Sequence, residues 1–225
     1  MFKSKKRKII ITQADHAKLS GVLAQNWGNE NFDKPVIDFD AFVRGVTLHD
    51  IAYGDYDNYP IGAVSKEQWA KLTLAASKYR FENPVTDIVT KLHLKRLLND
   101  DDMFKEEILC NIDKRIEESL RATKFSIKDF IWADCITDFC DWVSFNFCIE
   151  KEFEDTIEVY THRNSSSKVA IKFHTSAEGV IIVEPWPFFA ETIQGSIIAY
   201  NEMGYPKELK TILKNYLIIP QKILH

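Results

Sequence analysis

The hydrophobic period of this chain changes once, near Glu150, and that change limits the folds open to it. Before Glu150, apolar residues recur every three or four positions; after it they fall in short β-branched runs separated by turn residues. The first regime predicts a helix from Asp15 to Trp27 that stops at Gly28, and a second from Asp38 or Asp40 towards Ala52. A Gly-, Asp-, Asn- and Tyr-rich loop then runs from Tyr53 to Pro60. Ser65 with Glu67 and Gln68 opens a third helix, and Asn83-Pro84 heads a fourth. Asp100 to Arg121 and Ser126 to about Cys148 complete the helical part, preceded by a short strand at Ile9 to Thr12. The second regime predicts antiparallel strands at Thr156–His162, Lys168–His174 and Gly179–Glu184, turning at Asn164 to Ser167 and Ala177 to Gly179. Ser196 to Tyr200 adds a further strand, and Pro206 to Leu217 reads as a closing helix. The expected architecture is α+β and predominantly α-helical: one domain over 1–225, with a helical body over 9–150 and a small C-terminal antiparallel sheet over 151–225.

With 225 residues, 45% of them hydrophobic, and only 8 Gly and 7 Pro, the chain can bury a sizeable core and is not disordered. Lys and Arg number 29 against 33 Asp and Glu, a net charge of −4 that argues against duplex nucleic acid as the main partner. The longest apolar runs fall far short of the roughly 20 residues that cross a bilayer, so no membrane span is expected. The basic start, Lys3 to Lys8, is followed only by Ile9 to Ile11, which lacks the long apolar region of a signal peptide and predicts a cytoplasmic protein. That basic run reads as a solvated tail. Cys110, Cys135, Cys140 and Cys148 form no Cys-x-x-Cys pair and read as reduced core fillers.

Polar residues on apolar helix faces carry the functional signal. His16, Leu19, Leu23 and Trp27 share one face of the first helix; Phe42, Val46 and His49 share one on the second, with Asp50 beside them. On the fourth, Val85, Val89, His93 and Leu97 recur every four residues. Three helices therefore each aim one imidazole inward. Asp134, Asp138 and Asp141 make an acidic stripe on an otherwise apolar sixth helix. Imidazoles and carboxylates converging from separate helices suit a mixed N/O site for Fe, Mn, Zn or Ni. The same pattern also fits hydrogen-bonded core histidines and an acidic groove wall open to solvent. Lys91, Lys95 and Arg96 flank His93 and read as that helix's solvated face. His162, His174 and His225 receive no role.

One series of motifs spans nearly the whole chain. It begins with Ile11-Thr12-Gln13-Ala14-Asp15-His16-Ala17-Lys18-Leu19-Ser20-Gly21, extends to Trp27-Gly28, and continues with His49-Asp50 and Tyr56-Asp57-Asn58-Tyr59-Pro60. His93, Asp141 to Phe145 near Cys148, and Pro185 to Phe188 follow in order. The series resembles an uncharacterised, mainly bacterial family of HD-superfamily-like proteins. The chain departs from that pattern at Ile51, Tyr53 and Tyr56, where family members often carry an acidic residue and tryptophans. The resemblance implies an HD-like helical bundle and a divalent metal site, mononuclear or dinuclear. In it His16, His49, Asp50 and Asp141 would be ligands, and His93 would be the extra histidine that holds a second metal or orients a phosphate. It further implies a metal-dependent phosphohydrolase acting on a small phosphorylated substrate, with Asp57 or Asp138 as supporting carboxylate or general base. A dinuclear iron oxygenase and a non-enzymatic helical protein that binds a ligand or partner are the competing expectations. No Gly-rich phosphate loop, nucleophile elbow or dinucleotide fingerprint names the substrate.

Overall fold

A computed structural model of the chain describes every residue except 61, 151–152, 164, 177–178 and 222–225, so His225 and parts of the two turns expected after the first C-terminal strands lie outside the described residues. The elements in order are β1 (Phe2–Lys3), β2 (Ile9–Ile11), α1 (Gln13–Asn26), α2 (Phe39–Thr47), a 3-10 helix (Ile51–Asn58), α3 (Lys66–Lys78), α4 (Pro84–Arg96), α5 (Lys105–Arg121) and α6 (Ile127–Ile149). Strands β3 (Phe153–Tyr160), β4 (Lys168–Thr175), β5 (Val180–Glu184), β6 (Ile193–Asn201) and β7 (Thr211–Pro220) follow. The helix starts expected from capping residues are present. Asp38 and Asn83 accept backbone N–H groups at the heads of α2 and α4, and Ser65 with Gln68 forms a capping box on α3; α1 starts two residues earlier than expected, capped by Thr12.

The expected helical bundle with a small sheet is not what forms. The chain is 45% helix and 22% strand, and six helices pack with a seven-stranded, curled mixed sheet that makes a half-barrel. Strand order is β1-β2-β6-β7-β5-β4-β3, antiparallel throughout except for the parallel β5–β7 pair. Two segments whose local pattern is ambiguous account for the difference. The expected closing helix at Pro206–Leu217 is largely β7, in which Lys214, Tyr216 and Ile218 alternate inward while β6 pairs along one edge and β5 along the other. So short an apolar run fits both periods, and pairing on two sides decides it. The N-terminal run is likewise no free tail. Phe2 and Lys3 pair with Ile11 and Ile10, and β2 joins the C-terminal strands through β6.

The basic residues between β1 and β2 serve the end of α6. The Lys5 N–H donates to the Ile149 carbonyl at 2.9 Å, and Ser4 and Arg7 bind the buried Glu150 carboxylate. They answer the unpaired carbonyls and the negative pole of a helix C-terminus. Helices α1 and α6 lie against the sheet, with Phe139 of α6 meeting Trp27, Phe173 and Phe188. Helix α2 rests on α1, and α4 packs across α2 and α6. Gly45 lets α2 and α4 approach closely, since a Cβ there would come within 2.7 Å of Val89. Of the four cysteines only Cys140 and Cys148 are core; Cys110 is exposed and Cys135 half-buried, so that expectation is corrected for two of the four.

Candidate metal centre

Four elements bring the five predicted ligands together. His16 sits in the second turn of α1, whose head is tied down by the Gln13 N–H donating to the Asp57 carboxylate at 3.0 Å. The Ser144 hydroxyl of α6 donates to the His16 carbonyl at 2.8 Å, fixing the two helices in register and giving the Asp141-x-x-Ser144 spacing its structural sense. His49 and Asp50 follow the end of α2, His93 lies on α4, and Asp141 on α6. His16, His49, Asp50 and His93 are all at most 4% exposed. The Phe2 ring covers the edge of His16 at 4.7 Å between centroids.

The ligand atoms converge. His16 Nε2 lies 2.8 Å from Asp141 Oδ1 and 3.8 Å from Asp50 Oδ2, and His49 Nε2 lies 3.4 and 3.5 Å from the same two oxygens. His93 Nε2 is 3.4 Å from Asp50 Oδ1. His16, His49 and Asp50, and again His49, His93 and Asp141, offer donor atoms within 4.8 Å of one another.

Protonation follows from the partners on each ring's far side. The His49 Nδ1–H donates to the Val46 carbonyl at 2.6 Å, so in the neutral ring the lone pair is on Nε2, which points at the carboxylates with no hydrogen-bond partner among the described residues. His93 is the reverse. The Arg96 guanidinium, which can only donate, reaches His93 Nδ1 at 3.1 Å, so Nδ1 accepts and Nε2 carries the proton. His93 Nδ1 also lies 3.5 Å from Asp141 Oδ2. Burial opposes charge on His16, but its hydrogen bond to Asp141, with Cys148 nearby, outweighs this and pushes it up to about 9. Burial is likewise outweighed at His49 by Asp50 and Asp141, which raise it to about 10. Burial and the neighbouring His49 charge hold His93 below its ordinary value. Asp50 and Asp141 pay for burial but are driven well below the usual carboxylate range by the imidazoles around them. Two carboxylates and the Nε2 atoms of His16 and His49, each ring giving up a proton on binding, would suit one borderline divalent ion, whose charge the two carboxylates balance.

The two predicted supporting carboxylates lie around this cluster. Asp57 receives the Gln13 N–H and an ion pair from the Met1 amine at 3.0 Å, and the Tyr205 hydroxyl donates to its carbonyl. Asp138 pairs with Arg96 Nε at 2.9 Å, and burial holds its carboxyl above the ordinary range. Arg96 was expected on a solvated face; instead it lies between Asp134, Asp138 and His93. Its i, i+3 spacing from His93 was the available signal. Lys91, expected to be solvated too, is 2% exposed and donates to the Ala76 carbonyl, on the opposite side of α4. Lys95 alone of the three stays at the surface, paired with Asp113.

Fold and site together define a mixed α/β protein whose helical layer encloses three imidazoles and two carboxylates. Residues 1–200 match the family described as "Protein of unknown function (DUF3891)", and the chain belongs to that family. No curated protein and no solved structure matches it. Among the described residues, no helix is long and apolar enough to cross a membrane.

Proposed function

We propose that this protein is a metal-dependent phosphohydrolase that adds water across the phosphorus–oxygen bond of a small phosphate ester. The ligands in this reading are His16, His49, Asp50 and Asp141, holding one divalent ion such as Fe, Mn, Zn or Ni. The observation that carries it is the His49 ring, held by a backbone carbonyl at Nδ1 with a buried, unpartnered Nε2 facing two carboxylates. A bound divalent ion would neutralise phosphate charge and lower the pKa of water towards neutrality.

The rest is done by the chain's own residues. His93, as an Nε2–H donor fixed by Arg96, binds a phosphate oxygen instead of a second metal. This favours hydrolysis at one ion over the dinuclear iron alternative. Asp138, near the Arg96 and Asp141 charges and raised by burial, takes the proton from water, and Asp57 is a positioning residue that holds the head of α1. The test is metal analysis of protein purified without chelator or affinity-tag metal, beside His49→Ala. About one equivalent in the parent, lost in the variant, is the expected result. A parent that is metal-free and takes up none of Mn, Fe, Zn or Ni would overturn the proposal.

A further inference from the structure

A cavity of about 540 Å³ opens on elements that continue directly from Asp50 and His93, although none of the five cluster residues lines it. The 3-10 helix that starts after Asp50 supplies Tyr53 and Tyr56, and the end of α4, one turn beyond His93, supplies Leu97 and Leu98. Tyr53 links the two sites. It lines this cavity and also a cleft of about 10 Å³, roughly the room of one water, whose lining includes His49 among ten other residues. The volume falls within the range of small-molecule sites, roughly 300 to 1,000 Å³.

The lining selects the ligand. Trp69 of α3 forms a flat aromatic wall, stacked on Tyr53 at 4.7 Å and 3° and met edge-on by Tyr56 at 5.2 Å. Leu97, Leu98 and Ile108 add apolar surface, and Ser65, Thr73 and Asn99 place uncharged polar groups among them. At the rim Asp101 and Asp102 stand with a single cation, Lys66, so the carboxylates disfavour an anion inside. Aromatic surfaces of this kind favour a planar ring by offset stacking and edge contacts. We propose that this cavity is the site for the uncharged organic part of the substrate, a planar aromatic ring, with the phosphate directed away from the acidic rim and towards His93 and the cluster. The inference rests on the hydrolase reading for the phosphate end only; the ring site stands on its own geometry.

The experiment separates the two. The full-length protein is titrated with two uncharged probes, 2-naphthylmethanol for a plain aryl ring and adenosine for a nucleobase, by calorimetry. One of them is expected to bind with Kd below about 1 mM. Ala70→Phe, which fills the cavity from α3, and Val64→Trp, which narrows it from a half-buried position before α3, are each expected to weaken that binding about tenfold or more. A far-ultraviolet circular-dichroism spectrum and a cooperative thermal melt matching the parent's show that a variant is folded, whether or not the protein holds metal. In parallel, 2-naphthylmethyl phosphate should be hydrolysed with kcat/KM about tenfold above ethyl phosphate, a preference lost in Ala70→Phe. No binding of either probe below about 10 mM, or undiminished binding in both folded variants, would overturn the ring site. Probe binding that the variants abolish, in a protein without metal or phosphatase activity, keeps the ring site and removes the hydrolase. Equal hydrolysis of both esters with no probe binding does the opposite.

Discussion

Metal affinity should rise steeply with pH, and the structure sets how steeply. In the metal-free cluster His16 is raised to about 9 and His49 to about 10, because Asp141 and Asp50 stabilise their charged forms against burial. Both rings are therefore protonated at neutral pH, and a divalent ion must displace both protons to gain their nitrogens. With two protons released per ion, the logarithm of the apparent association constant climbs by about two for each pH unit below 9. Between about pH 6 and pH 8 that is a gain of roughly 10⁴-fold. The sign is fixed: cations compete with the metal, so affinity falls on acidification and flattens only above the raised pKa values. Titration against a chelator of known affinity at several pH values gives the slope. Calorimetry in buffers of different ionisation enthalpy counts the protons independently. His16→Gln should reduce the count by about one, since its amide carries no displaceable proton. A slope below about one-half, or a proton count unchanged by His16→Gln, would refute the argument that carboxylate-paired imidazoles are the ligands.

Three other outcomes follow from neighbouring contacts. Nitrogen-15 NMR of the metal-free protein should show His93 as the Nε2–H tautomer and lose that signature in Arg96→Met; an Nδ1–H ring in the parent would place His93 among the ligands. Asp87 is fully buried and accepts from the Phe81 N–H, Ser119 and Arg115, so Asp87→Ala should lower stability by about 3–5 kcal/mol in denaturant melts by leaving these three buried donors without their acceptor, Arg115 keeping only Glu118; a loss under about 1 kcal/mol would contradict the buried pair. Burial resists ionisation of Glu150, but Arg7, Ser4 and Lys214 hold it at about 2, so its contribution is complete above the ordinary glutamate range and lost as pH falls towards 2. Glu150→Gln should accordingly cost stability above about pH 4.5 and make the decline between about pH 4.5 and 2 shallower, while leaving metal content equal to the parent's; an unchanged acid limb would contradict this.

The clustering of these residues was legible in the sequence because His16, His93 and Asp141 stand on helix faces whose neighbours are apolar, although the helix expected to run on through His49 and Asp50 ends at Thr47. His16 among Leu19, Leu23 and Trp27, and His93 among Val85 and Val89, can point only inward, and all of these are buried. What the pattern could not show is which atom of each ring is free. That depends on Val46 and Arg96, one a backbone carbonyl and the other a side chain whose i, i+3 spacing to His93 looks like any exposed helical pair. Leu97 shows the limit of periodicity from the other side. It continues the inward row of α4 yet is 42% exposed, because the row runs out of the core and into the wall of the aromatic cavity.

The sheet was harder to see because its edge is assembled from both ends of the chain, and no local period records a pairing made across some 190 residues. Ile9 to Ile11 read as a short strand, but nothing local says that its partners are Asn201 and Tyr200. That pairing matters to the site as well as to the fold. It carries β1 with it, and β1 places Phe2 on His16 and the Met1 amine on Asp57, the same carboxylate that holds the first N–H of α1. The imidazole on α1 is therefore oriented from two sides, by Ser144 of α6 at its carbonyl and by the β1 segment at its ring edge. A purely helical body would supply the first support and not the second. The mixed sheet is thus part of how the cluster is built, and it explains why the motif series of the N-terminal helices continues to Pro185 to Phe188. There the Pro187 carbonyl accepts from the Gly28 N–H at 2.9 Å, and Phe188 packs on Trp27, at the far end of the helix that bears His16.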